Sequence, residues 1–368
     1  VADRGNKNIQ CFFLERAKQL LAGNGVAGII VPSSILSNSD AMHLKTREIL
    51  LQHFDFVSIV ELGSNTFGKT GTNTVVLFLR RKAQNPTPAT QYLNRSLDFF
   101  DNWADEQKGS AYNDLDTVQQ YTQHINIPFA DYQTLLAAKP SAKLLGYDMF
   151  KDYKASFDNL NDTKSLLNKK FFKDLSPAQQ QTELDKRFVK HLQQIEQQKL
   201  YYFMLANSNP QPVLIVKCPS DSSAQKKFLG YEWSGAKGNE GIKYYGGDTI
   251  NSIQTPMLDP QNRQNADKIS YYIQQNFLHN TQTNLPQHLH EFITYASLQN
   301  LLDFDRKDFN KAISLNPKNT TQTPVSKWEM VKIEDFVSLI ESGNRPQGGV
   351  GNINSGAWSL GGEHIHPN

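Results

Sequence analysis

The sequence predicts an α/β fold, and three patterns in its first 82 residues carry the prediction. An amphipathic helix ends at the glycine turn AGNG, and the nearly unbroken apolar run VAGIIVPSSIL follows at strand length. Asp40 can cap a second helix that ends near His53, and the run FVSIVEL then predicts another buried strand. Strand, helix and strand within about forty residues form a right-handed crossover between parallel strands. We expect the first strand, which ends at Pro32, to be central and covered on both faces.

The segment from Gly63 to Thr70 has the spacing of a phosphate-binding P-loop, G-x-x-x-x-G-K-[ST]. A P-loop needs a helix directly after the glycine loop, because the amino end of that helix holds the phosphates. The sequence that follows is rich in glycine and threonine and then apolar from Val75 to Leu79, which predicts a strand. We therefore expect a glycine-bearing loop and an antiparallel strand at the sheet edge. A P-loop NTPase stays an alternative.

The rest of the chain predicts further segments. Residues 83–212 are rich in polar side chains, with apolar residues at helical spacing, and predict a mainly helical insertion whose clearest helix begins after Ser176. Residues 213–315 predict an α/β connecting region. It holds a strand at PVLIVKCP, a glycine, lysine and aromatic loop at FLGYEWSGAKGNEGIKYYGG, and a capped helix that includes ISYYIQQNF.

The last segments predict a boundary between domains. Residues 316–326 have the polar, proline-bearing composition of an interdomain linker, and residues 327–368 begin a further unit. The chain begins at Val1 and stops within a glycine-rich passage. We therefore expect a fragment of a longer polypeptide.

Composition narrows the class of protein. Lys and Arg number 38 against 36 for Asp and Glu, so any surface that binds nucleic acid must be a local patch. Cys11 and Cys218 lack the spacing of a zinc site or a disulfide framework, and we expect a reducing cytoplasm. The histidines His364 and His366 have no further ligand nearby, so we expect no metal site. No apolar run is long enough for a spanning helix, so no membrane partner is expected.

Four passages in the first part of the chain carry a family resemblance: FFLERAKQLLAGNG, GVAGIIVPSSIL, FVSIVELG and NTFGKTGTNTVVLFLRR. They resemble the later half of the catalytic domain of adenine-N6 DNA methyltransferases of restriction-modification systems, in particular the type I modification subunit and its single-chain relatives. FLGYEWSGAKGNEGI is similar to a segment after the catalytic core of this group. KWEMVKIEDFVSLIESGNRPQGG resembles the start of a target-recognition domain of a type I specificity subunit, whereas residues 83–212 match poorly.

The resemblance implies a fold and an activity. The fold is the distal half of a Rossmann-like methyltransferase sheet, with parallel strands and an antiparallel edge strand, a helical insertion and a partial DNA target-recognition domain. The activity is methyl transfer from S-adenosylmethionine to the N6 of an adenine that has left the duplex stack. The implied partners are double-stranded DNA and restriction or specificity subunits.

Two motifs of this family are absent from the sequence. They are the glycine-rich turn that holds the cofactor and the Asn/Asp-Pro-Pro-aromatic motif that holds the target adenine, and the sequence has no Pro-Pro pair. We therefore expect no catalytic and no cofactor-binding residue in this chain, and no methyl transfer by the chain alone. A non-catalytic DNA-binding or assembly module of a restriction-modification complex is the alternative function.

The glycine-bearing loop holds the main candidate site residues. By its position in the family pattern, Phe67 resembles the aromatic that packs on the second face of the flipped adenine, with an ordinary edge-loop phenylalanine as the alternative. Lys69, Thr70 and Thr72 are candidate contacts to phosphate, and a solvated loop is the alternative.

Pro32, Ser33 and Ser34 follow the carboxyl end of a parallel strand, where α/β sheets place ligands. They form either a wall of the substrate pocket or a simple turn.

A second candidate surface alternates lysines with aromatic residues and glycines, which suits the DNA backbone. Its residues are Lys226, Lys227, Lys237, Lys243, Tyr231, Trp233, Tyr244 and Tyr245. A packed loop with solvated lysines is the alternative. Arg345, in the passage GNRP, matches an early loop of a recognition domain and is a candidate DNA contact.

Overall fold

The structure is a computed structural model that describes residues 8–64, 66–67, 71–83, 88–103 and 114–317. The chain divides into two units, Val1–Thr320 and Thr321–Asn368, and all described residues belong to the first. The predicted linker beyond its first two residues and the predicted start of a target-recognition domain lie outside the described residues.

The described residues form seven β-strands: β1 (Val26–Pro32), β2 (Phe54–Gly63), β3 (Thr74–Arg81), β4 (Val213–Val216), β5 (Tyr231–Ala236), β6 (Asn239–Tyr244) and β7 (Ile293–Ala296). A mixed sheet has the order β1-β3-β2-β4-β7, and β5 and β6 form a separate hairpin. β2 pairs parallel with β4, whereas β3 is antiparallel to both β1 and β2 and β7 is antiparallel to β4. β1, β2 and β4 therefore run in the same direction, and the prediction of an α/β fold is confirmed.

Two expectations about the order of the sheet are wrong. β3 does not lie at the edge but between β1 and β2, so that Val76 pairs with both Ile30 and Val60. Within the described sheet β1 is therefore an edge strand, and Val26 and Ile30 are more than half exposed. An apolar run has the same length and hydrophobicity in a covered strand and in an edge strand, so the sequence pattern does not separate them.

The described residues also form thirteen α-helices: α1 (Ile9–Leu20), α2 (Ser34–Ser37), α3 (Ala41–His53), α4 (Pro88–Asn102), α5 (Leu115–His124), α6 (Phe129–Leu136), α7 (Ala142–Leu145), α8 (Asp148–Asn159), α9 (Asn161–Asn168), α10 (Lys170–Lys173), α11 (Pro177–Asn207), α12 (Ser222–Leu229) and α13 (Ile269–Phe277). Short 3-10 helices lie at Ile250–Ser252, Gln287–Leu289 and Leu298–Leu301. Within these described residues, no helix combines the length and the apolar content that crossing a membrane requires.

The predicted helix caps are present. The Asp40 carboxylate accepts hydrogen bonds from the N–H groups of Met42 and His43 at 3.1 and 3.3 Å, and Ser176 forms a capping box with Gln179 at the start of α11. In α13 the cap is supplied by the backbone rather than by a side chain: the first two N–H groups of the helix donate to carbonyl oxygens of residues 256 and 257 at 2.9 and 2.8 Å.

Helices cover both faces of the sheet. Successive residues of a strand point to opposite faces, and neighbours in β2 and β4 belong to different apolar clusters. Ile59 and Ile215 pack with residues of α1, α3 and the helical segment, whereas Val60 and Leu214 pack with residues of α12 and α13. β4 and β7, which come from the predicted connecting region, belong to the same sheet as β1 to β3. The predicted boundaries at 82/83, 212/213 and 315/316 stay predictions.

The long helix α11 carries two fully buried charged residues, Glu196 and Lys199. Three tyrosine hydroxyls, from α5, α6 and α8, donate hydrogen bonds to the Glu196 carboxylate: Tyr121 at 2.8 Å, Tyr132 at 3.2 Å and Tyr153 at 2.6 Å. The Lys199 ammonium lies 3.7 Å from the same carboxylate and donates to the Phe304 carbonyl oxygen at 2.6 Å. This buried tyrosine cluster ties three helices and the segment around residue 304 to α11.

Candidate functional site

Three parallel strands end at one edge of the sheet, which we call the carboxyl edge. β1 ends at Pro32, β2 at Gly63 and β4 at Val216. In open α/β sheets ligands bind in the crevice outside the carboxyl ends of the strands. The loop that follows β2, residues 64–73, is named the aromatic loop after Phe67; its residues 65 and 68–70 lie outside the described part of the chain.

The exit from the aromatic loop distinguishes a phosphate site from a returning strand. Residues 71–73 have no regular structure, and β3 begins at Thr74. The helix that a P-loop requires at this point is replaced by a strand, so the P-loop interpretation is not supported. Lys69 and Thr70 fall among the residues that the structure does not describe, and Thr72 is exposed.

The start of the aromatic loop is tightly packed. Gly63 has a φ of +76°, in the left-handed region that favours glycine. A Cβ atom at this position would lie 2.9 Å from the Cys218 sulfur and 2.8 Å from Oε1 of Gln225. Thr66 is buried, and its hydroxyl lies 3.2 Å from the carbonyl oxygens of both Leu62 and Gly63, to which it donates. These contacts fix the start of the loop to the end of β2.

The β5–β6 hairpin holds the same part of the loop. The Tyr231 hydroxyl donates to the Thr66 carbonyl oxygen at 2.9 Å, and the Trp233 indole N–H donates to the same oxygen at 3.3 Å. Burial raises the pKa of the Tyr231 hydroxyl above its ordinary value, so this group stays protonated at neutral pH and remains a donor. A backbone acceptor one residue before Phe67 is therefore bonded to two aromatic side chains.

The β5–β6 hairpin is the part of the site that was not predicted from the sequence. Glycine, lysine and asparagine are poor strand formers, and for this reason the segment was predicted as a loop. That prediction is wrong, because the segment forms two paired strands. The signal that could have identified it is the pair Lys237-Gly238 between two six-residue segments. Gly238 has a φ of +79°, in the left-handed region that favours glycine.

Two aromatic side chains of this site are half exposed. Phe67 follows the anchored Thr66 directly and keeps 48% of its surface exposed, and Trp233 keeps 49% although its N–H is bonded. Nucleobases stack on exposed aromatic faces of this kind. The aromatic loop therefore combines a fixed start with a ring that a ligand can reach.

The structure places Pro32, Ser33 and Ser34 at the other end of the aromatic loop. The Ser33 N–H donates to the Asn73 carbonyl oxygen at 2.9 Å, and Pro32 pairs with Thr74 in the sheet. All three residues are half-buried, and Ser34 begins the short helix α2. They therefore lie beside the loop, and their role as a pocket wall stays a prediction.

Two lysines of the second candidate surface, Lys226 of α12 and Lys243 of β6, face the carboxylate of Glu232. Lys226 forms an ion pair with Glu232 at 2.8 Å, and Lys243 lies opposite Glu232 in the hairpin register. Both lysines hold the pKa of the Glu232 carboxyl below its usual value, Lys226 more strongly. Lys237 is exposed at the hairpin turn. It follows Trp233 by four residues, which at the rise per residue of a strand is about 13 Å.

Cys218 lies beside Gly63 at the carboxyl edge. Burial, together with the charge of Glu61, raises the pKa of the Cys218 thiol to about 12, so the thiol is protonated at neutral pH. Among the described residues, no group of three or more His, Cys, Asp or Glu side chains could hold a metal ion. Arg345, His364 and His366 lie beyond the last described residue.

A comparison with protein families matches the first part of the chain. Residues 1–67 match the family model described as Eco57I restriction-modification methylase. The matched segment holds β1, β2 and the aromatic loop as far as Phe67, and it overlaps the passages whose resemblance the sequence analysis noted. A search of curated proteins found no match to the chain. The family match supports a methylase of a restriction-modification system.

Proposed function

We propose that this chain is part of a site-specific DNA methyltransferase that transfers a methyl group from S-adenosylmethionine to adenine N6 in double-stranded DNA. The family match over residues 1–67 supports a restriction-modification methylase. The observation that carries the finer proposal is the half-exposed Phe67, one residue after the anchored Thr66 at the carboxyl edge. An adenine must leave the duplex stack before its amino group can react, and an exposed ring on a fixed backbone offers that base a stacking surface.

In this proposal Phe67 stacks on one face of the extruded adenine, and Pro32, Ser33 and Ser34 form a wall beside it. Stacking of a base on one aromatic side chain contributes about 1–3 kcal/mol. Contacts to the DNA are proposed for Lys69, Thr70, Thr72, Lys237 and Arg345. We also propose that the chain comes from a type I modification subunit whose sequence continues, through the segment 316–326, into the start of a specificity-type recognition domain.

We propose that S-adenosylmethionine is not held by the start of the aromatic loop. The space beside Gly63 is filled by the side chains of Cys218 and Gln225, and the hydroxyl and carbonyl groups of Thr66 are bonded within the protein. The sequence also lacks the family's Pro-Pro-aromatic motif. We therefore assign no step of methyl transfer to a residue of this chain and propose that the chain alone does not catalyse.

A binding experiment tests the role of Phe67. Two DNA duplexes of one sequence carry 2-aminopurine, a fluorescent adenine analogue, opposite either thymine or an abasic site. We expect the chain to bind the duplex with the unpaired base about tenfold more tightly and to quench its fluorescence. Phe67→Ala should remove the preference and keep the affinity for the paired duplex. Equal affinity of the original chain for both duplexes, or a preference that survives in Phe67→Ala, contradicts the proposal.

A non-catalytic DNA-binding or assembly module is the second candidate. Salt-dependent DNA binding with no preference for an unpaired adenine would support this candidate over the first. Incubation with labelled S-adenosylmethionine and mixed DNA should give no transfer above background, and robust transfer would show that the proposed inactivity is wrong.

A further inference from the structure

We propose that Tyr231 and Trp233 are positioning residues for Phe67. Through one shared acceptor, the Thr66 carbonyl oxygen, the hairpin sets the position of Thr66 and Phe67 for an unstacked base. The inference rests on the proposed function of Phe67, but the hold of the hairpin on the loop can be measured without DNA.

The geometry at Thr66 supports a positioning role. A carbonyl oxygen has two lone pairs, and two donors approach this one, at 2.9 Å from Tyr231 and 3.3 Å from Trp233. Residues i and i+2 of a strand share a face, so both donors come from one face of β5. The Thr66 hydroxyl is bonded to the end of β2 at the same time. The backbone at Thr66 is therefore held from two sides by different elements.

A shift at Thr66 is transmitted to Phe67 almost without loss. Adjacent Cα atoms are separated by one planar peptide group of fixed length, so moving the Thr66 carbonyl group moves the Phe67 backbone with it. Phe67 itself remains half exposed. The position of its ring therefore depends on hydrogen bonds made by residues about 165 positions later in the chain.

The hairpin is firmly fixed at the end that carries the two donors. Gly230 ends α12 with a φ of +79° and leads directly into β5, and a Cβ atom there would lie 2.7 Å from the Ile253 side chain. The Tyr245 N–H donates to the Gly230 carbonyl oxygen at 2.9 Å and closes the hairpin beyond β6. Because its base is anchored to α12, the hairpin can hold the loop rather than move with it.

Hydrogen exchange of the peptide that spans residues 63–73 tests the hold. Tyr231→Phe and Trp233→Phe each remove one donor and keep an aromatic ring. We expect exchange in this peptide to become about fivefold faster in each variant, faster still in the double variant, and unchanged in Tyr244→Phe, which alters the partner of Tyr231 across the hairpin. Peptides of α11 serve as the internal reference for folding. Unchanged loop exchange in the double variant overturns the inference.

A double-mutant cycle tests whether the hold acts through Phe67. Tyr231→Phe should weaken binding to the duplex with the unpaired 2-aminopurine about threefold when Phe67 is present, and not at all in the Phe67→Ala background. Equal losses in both backgrounds would show that Tyr231 does not act through Phe67 and would overturn the inference. Phe67→Ala could weaken binding while hydrogen exchange of residues 63–73 stays the same after removal of both donors. In that case the positioning role fails and the proposed function stands. If loop exchange responds but Phe67→Ala binds normally, the proposed function of Phe67 fails, and the positioning role fails with it.

Discussion

In the buried tyrosine cluster on α11 and in the aromatic loop at the carboxyl edge, aromatic side chains donate hydrogen bonds to one shared acceptor, but the two regions differ in what stays exposed. In the cluster the acceptor is the fully buried Glu196 carboxylate, and its three tyrosine partners are almost completely enclosed. At the carboxyl edge the acceptor is the Thr66 carbonyl oxygen, and one of its partners, Trp233, is half exposed, as is the neighbouring Phe67.

This difference separates stability from binding. A buried, fully bonded cluster has no surface left for a ligand, so its hydrogen bonds act only on the fold. Exposed rings on an anchored backbone make few contacts that stabilise the fold, and their apolar surface remains accessible to a partner. The two regions therefore predict opposite outcomes for mutations of similar size.

The largest effect is expected for Glu196→Ala. This change leaves the Lys199 ammonium buried without its carboxylate and three tyrosine hydroxyls without their acceptor. Removing one partner of a buried ion pair costs about 3–5 kcal/mol. Urea unfolding followed by circular dichroism measures the loss.

Glu183→Ala on the same helix is the matched control for this change. Glu183 is paired with Arg187 at 2.6 Å, but both side chains are partly exposed. Exposed pairs of this spacing contribute about 0.3–0.5 kcal/mol. Similar losses for the two glutamates would contradict a structural role for the buried cluster.

The next effect concerns the start of the aromatic loop. Gly63→Ala places a side chain in a left-handed backbone conformation and against Cys218 and Gln225. Strain and crowding together should lower the free energy of unfolding by about 2–3 kcal/mol. Gly71 has a φ of +64°, but a Cβ atom added there would meet no atom within 4 Å. In Gly71→Ala, backbone strain alone should therefore lower the free energy of unfolding by about 1 kcal/mol. Equal losses in thermal unfolding would show that the start of the loop is not tightly packed.

Local signals in the sequence predicted the elements that form this edge of the sheet. The carboxylate of Asp40, the apolar run that became β2 and the β-branched residues after the glycine loop each act on their own neighbours, and each element formed as predicted. Ser176 likewise caps α11 at the position that was predicted from the sequence.

The order of the strands was not predictable in this way. Strand pairing uses backbone groups that are the same for every residue, so no local pattern states that β3 lies between β1 and β2. The candidate site shows the same limit. Phe67, Tyr231 and Trp233 were all singled out from the sequence, but the shared hydrogen bonds at Thr66 join distant segments and required the fold.

A smaller effect is expected from His53, a half-buried residue whose ring contrasts with the bonded groups of the tyrosine cluster. Its Nδ1 has no hydrogen-bond partner among the described residues. Burial, and then the charges of Lys18, Arg81 and Lys82, lower the pKa of the imidazole to about 4. The unfolded chain, with an ordinary pKa near 6.5, binds more protons between these two values. Stability is therefore lost as the pH falls from about 6.5 towards 4.

His53→Gln should flatten this part of the pH profile. At pH 4.5 the histidine should account for about 1 kcal/mol of the lost stability, a value reduced for its partial exposure. Urea midpoints measured between pH 4 and pH 8 test the expectation. Parallel profiles of the original chain and the variant would show that His53 is not held neutral by the fold.

The smallest effect on stability is expected where the effect on binding is largest. Phe67→Ala removes a ring that is half exposed, and surface substitutions of this kind change the free energy of unfolding by about 0.5 kcal/mol or less. Phe56→Ala, in β2, removes a fully buried ring and should cost about 3–5 kcal/mol. Thermal unfolding of the two variants compares one side-chain type in the core and at the edge. A loss of more than 2 kcal/mol for Phe67→Ala would mean that the ring packs against the protein, and an aromatic group needed for packing would not be free to stack on a base.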